Sequence, residues 1–244
     1  MTPLAVDRFE TFGPSHLGAL AICVTGVAVV VLLGRRAQGD GVNRVFAVAI
    51  MLVTIPLQVL QLLPDEWNPR TSLPFQLCDL AWMFAVHALW TRSRLSATVT
   101  YLWGITLTTQ AMLTPDLASD FPEPRFLMFW GMHVLIVWAA FHLVLGLHLL
   151  PTWTTYWTTV GITALWAGAM MIYNNVADTN YGYLNGKPDS ASALDLLGPW
   201  PFYVAAEIAI IMAVWALLTW PWTRGVVSTH VARSSRGTRP PVVE

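Results

Sequence analysis

The chain has 244 residues, 55% of them apolar and only 11% charged, and 13 of them are tryptophan. The 13 Lys and Arg nearly balance the 14 Asp and Glu, which excludes a nucleic-acid binder working through a basic surface and a disordered, highly charged tail protein. Two cysteines, Cys23 and Cys78, are too few for a disulfide scaffold, so composition points to an integral membrane protein of one domain.

A membrane-crossing helix needs about 20 mostly apolar residues. In chain order the expected spans are 14–34, 44–63, 74–90, 95–113, 126–149, 151–173 and 200–220. The third is short. The fifth and sixth are joined by a tight connection at Leu149 to Thr152. No apolar run alternates with period two, so an all-α polytopic bundle of seven transmembrane helices is expected over residues 1–222. A basic, flexible cytosolic tail is expected over 223–244. Asp7, Arg8 and Glu10 precede the first span, without the basic region and cleavage site of a removable signal, so the first span is expected to stay as a helix.

Charge sorts by side. Arg35, Arg36, Arg44, Arg92, Arg94, Arg224, Arg233, Arg236 and Arg239 fall on one side, with only Asp40 and Glu244 as acids. Arg8, Arg70, Arg125 and Lys187 fall on the other, with the remaining non-span acids. The positive-inside rule puts the first side in the cytosol, hence an outer N-terminus and a cytosolic C-terminus. Trp67, Trp90, Trp153, Trp200, Trp220 and Trp222 stand at span ends, where indoles anchor at the interface.

Ionisable groups inside a span are costly and point to function. Two acids qualify, Asp79 and Glu207. His16, Gln76, Cys78 and His133 lie with them in the first halves of inward-running spans. Gln58, Gln61, Thr106, Thr109, Gln110, Asn174 and Asn175 lie in the last turns of outward-running ones. All share the outer half of the membrane, which implies one polar chamber opening outward. His87 and His142 face away from the cluster by helical phase and read as packing histidines, as does Cys23 in its apolar stretch.

Several chemistries fit this set. Cys78 could act as a nucleophile with His133 as base, oriented by Asp79, Glu207, Asn174 or Asn175. His16, His133, Asp79 and Glu207 could ligate zinc, but no H-x-x-x-H or H-E-x-x-H pair supports a metal site. Asp79 and Glu207 could relay protons or ions in a transporter or channel-like protein, although the halves do not repeat. A non-catalytic scaffold leaves the chamber unexplained.

The run Leu73-Pro74-Phe75-Gln76-Leu77-Cys78-Asp79-Leu80-Ala81 resembles the signature third span of the YwaF-like integral membrane proteins, whose eukaryotic relatives include transmembrane protein 164. Trp103-Gly104, Thr108 through Leu117, and Phe129, Gly131 and His133 continue the resemblance. So do Asn180-Tyr181, Lys187-Pro188, Ser190 to Leu194 and Leu197 to Pro201, with His16 near the start. The resemblance covers nearly everything up to about Trp222. It implies a multi-pass bacterial plasma-membrane protein and acyl transfer to or from (lyso)phospholipids through Cys78 and His133. A distant likeness to membrane lipid-ester hydrolases keeps hydrolysis as an alternative. His16, Gln76, Asp79, Thr109, Gln110, Asn174, Asn175 and Glu207 become supporting or substrate-binding candidates. Gln76, Gln110 or a helix N-terminus would hold the oxyanion. No cofactor, metal or nucleic acid is expected. Membrane lipids serve as substrate and environment, and the oligomeric state is left open.

Overall fold

A computed structural model describes residues 8–37, 39–115, 117, 120–188 and 192–234. Among these the chain is all-helical, with seven rods and no strand. They are α1 (Pro14–Arg36), α2 (Gly41–Gln61), α3 (Leu77–Thr91), α4 (94–113), α5 (Pro124–Gly146), α6 (Trp153–Ala177) and α7 (Phe202–Ser234). α4 and α5 each contain a π turn, Gly104–Thr108 and His142–Gly146. Of the tail expected over 223–244, the backbone continues as helix through Ser234, and 235–244 lie outside the described residues.

Local chemistry explains several boundaries. α1 begins with Pro14 in its first turn and ends on Arg35 and Arg36, which complement the helix dipole. α4 is capped by Ser93, whose hydroxyl accepts from the Ser96 N–H at 3.3 Å. At the head of α6, Thr152 accepts from the Thr155 N–H, and the Thr155 hydroxyl accepts from the Thr152 N–H at 2.9 Å.

α1, α2, α5 and the Phe202–Arg224 part of α7 are long and apolar enough to cross a membrane. The chain is therefore a multi-pass integral membrane protein. α3, with 15 residues, rises only about 22 Å, short of the ~30 Å hydrocarbon layer. The non-helical segment 73–76 runs into it.

α3 packs against α2, α4 and α5, while α4 also packs against α5 and α6. α1 lies against α5, and α7 lies against α6. At the end remote from the α3 N-terminus the seam is made of small residues: Ala47, Ala85, Ala88, Ala97 and Ala139 surround Ile50, Leu89 and Leu143, all fully buried. Small side chains let backbones approach closely where no hydrophobic effect drives association. The His142 ring bridges the Val30 carbonyl and the Asn43 side chain, 2.8 Å each, tying α5 to α1 and α2.

Nearby, a Cβ on Gly34 would lie 2.8 Å from the Gly146 Cα and 3.0 Å from the His142 ring. Backbone cannot yield as a side-chain tip can. Gly34→Ala is therefore expected to destabilise the bundle by about 1–3 kcal/mol, read as a lower unfolding midpoint in detergent.

Candidate functional site

A cavity of about 500 Å³ opens at the end of the bundle that holds the α3 N-terminus. It draws residues from α2 through α7. Its walls are apolar (Leu57, Leu107, Met128, Met132, Ile208, Ile211), with Gln58, Gln76, Cys78, Asp79, Gln110, His133 and Glu207 set among them.

Cys78 is the second residue of α3 and is part-buried. First-turn N–H groups have no acceptor within their own helix, so the start of α3 presents backbone donors beside the Cys78 thiol. The Asp79 carboxylate turns back and accepts from the Gln76 N–H at 3.0 Å, closing the first turn. Gln76 is held from across the cavity, its Oε1 accepting from the Gly182 N–H at 3.0 Å.

The loop that supplies this contact follows α6. Gly182 has φ 71°, a left-handed conformation, and a Cβ there would sit 2.3 Å from the Trp166 ring. Trp166 in turn donates its indole N–H to the Phe75 carbonyl at 2.9 Å. The Tyr181 hydroxyl donates to the Pro69 carbonyl at 2.8 Å and accepts from the Leu73 N–H at 3.2 Å. Asn174 organises the loop: its Oδ1 accepts from the Tyr181 N–H and the Thr179 hydroxyl, and its Nδ2 donates to the Tyr181 carbonyl and to Asn185 Oδ1.

His133 is 2% exposed. Its Nδ1–H donates to the Phe129 carbonyl one turn earlier, at 2.7 Å, and the Phe129 ring stacks on the imidazole with centroids 4.0 Å apart. That bond fixes the tautomer and leaves a lone pair on Nε2. Nε2 is buried and has no hydrogen-bond partner among the described residues. The site thus brings a thiol and an unpartnered imidazole nitrogen to one cavity, beside the N-terminus of α3.

The profile of the TMEM164 family matches residues 11–219. The chain belongs to the TMEM164 family. No curated protein and no solved structure matches it. The matched stretch of this TMEM164-family chain contains every cavity residue named above.

Of the residues singled out in the sequence, Gln76, Cys78, Asp79, Gln110, His133 and Glu207 line the cavity, with Gln58 and Gln61. Five stand elsewhere. Thr106 donates to the Leu102 carbonyl within its own helix and accepts from the Trp215 indole N–H at 2.9 Å. His16 is fully buried, accepts from the Phe12 N–H at 2.8 Å, and reaches the Met112 carbonyl with Nε2 at 2.9 Å. It joins α1 to the end of α4. Thr109 donates to the Ile105 carbonyl within its own helix, and Asn175 donates to the Met171 carbonyl on the exposed face of α6. Asn174 serves the loop rather than the cavity wall. Away from the site, His87 pairs with Ser96 across 2.8 Å, and Cys23 packs with Met112, Phe126 and Trp130. Among the described residues, no three His, Cys, Asp or Glu side chains come together as a metal site.

The TMEM164-family cavity also has a rim that the pattern of polar residues in the spans did not point to. Arg125, at the start of α5, forms an ion pair with Glu66 from the α2–α3 loop, and both line the cavity. Each stood in a connecting segment, outside the reach of an argument based on charges within spans.

Proposed function

We propose that this TMEM164-family membrane protein is a lipid-modifying enzyme that moves an acyl group to or from a (lyso)phospholipid through Cys78 and His133. One observation carries the reading: a buried His133 Nε2 with a free lone pair shares an apolar-walled cavity with the Cys78 thiol. A stabilising histidine would ordinarily satisfy both ring nitrogens, as His16 does.

In the first half-reaction, His133 Nε2 takes the thiol proton and Cys78 Sγ attacks the ester carbonyl of the donor lipid. The oxyanion is held by the first-turn N–H groups of α3, helped by the helix dipole, with Gln110 as a side-chain donor. Collapse breaks the ester C–O bond, and the departing alkoxide takes the proton from the imidazolium. In the second half, Nε2 removes a proton from a lyso-lipid hydroxyl, which attacks the thioester. The Cys78 sulfur leaves and regains its proton. Water in place of the hydroxyl gives hydrolysis. Asp79 and Gln76 set the pose of the α3 N-terminus.

All seven rods span the bilayer in this reading, α3 with its preceding non-helical segment, and the N-terminus is outside by the positive-inside rule. The cavity then faces the outer leaflet of a bacterial plasma membrane. The small-residue seam fills the opposite half, which favours chemistry at one membrane face over a proton or ion conduit through Asp79 and Glu207.

A phospholipid carrying a radiolabelled acyl chain tests this. In a single turnover the purified protein is expected to acquire a hydroxylamine-sensitive label on Cys78 that Cys78→Ala lacks. Absence of label under conditions where lipid binds would remove the covalent mechanism. Uptake or current that depends on Glu207 and survives Cys78→Ala would replace it with transport.

A further inference from the structure

Among the described residues, the charged ones lining the cavity are Asp79 and Glu207 in its interior, and Glu66 and Arg125 at its rim. Arg125 is the single cation in the described lining. Its side chain is 61% exposed and that of Glu66 51%, so the pair meets both water and the cavity mouth. Other ion pairs at this end, Arg70–Asp178 and Lys187–Asp195, lie outside the lining.

We propose that Arg125 and Glu66 form a two-point reader of the ligand's polar head, Arg125 taking a phosphodiester and Glu66 an ammonium. The inference rests on the lipid reading of the cavity. A guanidinium grips phosphate oxygens through two parallel N–H donors, and a carboxylate complements an ammonium. In the empty site the two side chains satisfy each other. A zwitterionic head replaces that single pair with two, one on each side, and leaves neither charge unpaired. An anionic head without an ammonium frees Glu66 beside its own negative charge, so the rim selects zwitterionic over anionic lysophospholipids. The apolar walls below take the acyl chain.

The experiment measures binding without turnover, using the full-length chain carrying Cys78→Ala in detergent. Tritiated palmitoyl-lysophosphatidylethanolamine, palmitoyl-lysophosphatidylglycerol and monopalmitoylglycerol are the probes, with inorganic phosphate as competitor. The ethanolamine lipid is expected to bind best. Arg125→Gln should weaken both phosphate-bearing lipids about tenfold or more and leave monopalmitoylglycerol unchanged. Glu66→Gln should abolish the preference for the ethanolamine head. Unfolding midpoints should stay close to the parent's, because exposed ion pairs contribute little to stability. Unchanged lysophospholipid affinity in Arg125→Gln overturns the head reader while the lipid reading stands. Displacement by millimolar inorganic phosphate as effective as that by the lipid overturns it in favour of a free-anion site. Binding of none of the three lipids removes the lipid reading itself, and the head reader with it.

Discussion

His133→Ala is expected to fold, to bind lipid, and to transfer acyl groups about 10²–10⁴ times more slowly than the parent. The loss falls on the proposed step in which Nε2 takes the thiol proton. Nε2 has no other bond in the described structure to lose. Deleting the ring leaves the Phe129 carbonyl inside a helix that already supplies it with a backbone donor. The decisive readout is rescue. Imidazole added to His133→Ala should restore part of the Cys78 acylation rate, since it can diffuse into the space the ring vacates. A histidine that acted only through packing would lower the unfolding midpoint, and added imidazole would not restore the rate.

Gly182→Ala is expected to have the second-largest effect, through position instead of proton transfer. The left-handed φ of 71° already disfavours any side chain, and the new Cβ would stand 2.3 Å from the Trp166 ring. Together these cost about 1–3 kcal/mol, to be read as a lower unfolding midpoint. The functional loss should exceed what that shift explains. Gly182 holds Gln76 through its N–H, and Gln76 directly precedes α3. If the loop moves, the first-turn donors and Cys78 move with it. A faster or slower alkylation of Cys78 by a small maleimide, compared with the parent at the same temperature, detects that movement. An unchanged alkylation rate would mean that the loop does not set the pose of the α3 N-terminus.

The helices were legible because hydrocarbon demands long apolar runs, and seven such runs coincide with seven rods to within a few residues, except that α7 continues to Ser234, past the expected end at 220 and into the segment expected to be a flexible tail. The cavity was legible for a related reason. Polar residues in spans are expensive enough that Cys78, Asp79, Gln110, His133 and Glu207 point inward together. The same logic misplaces His16 and Asn174, because membrane helices also need polar groups to tie up carbonyls and loop backbones. His16 on the Met112 carbonyl and Asn174 on Tyr181 do this. Sequence position alone cannot separate a residue that serves backbone from one that serves a ligand. The Gly182–Gln76 and Glu66–Arg125 contacts were hidden for another reason. They join segments far apart in the chain, and nothing local marks their partners. The π turns at Gly104 and His142 shift helical phase and leave no trace in apolar periodicity.

The cavity ends partway through the bundle, above a seam of alanines sealed by the His142 bridge. In the proposed reaction the donor and the acceptor then belong to one monolayer. Each transfer takes a chain from one lipid and gives it to another beside it, so the number of chains in that monolayer stays constant while their distribution among heads changes. Hydrolysis would instead leave single-chain lipid behind, raise that monolayer's positive curvature and load the bilayer with bending stress until lipids cross by another route. The curvature of the host membrane would thus separate the two outcomes of one cavity.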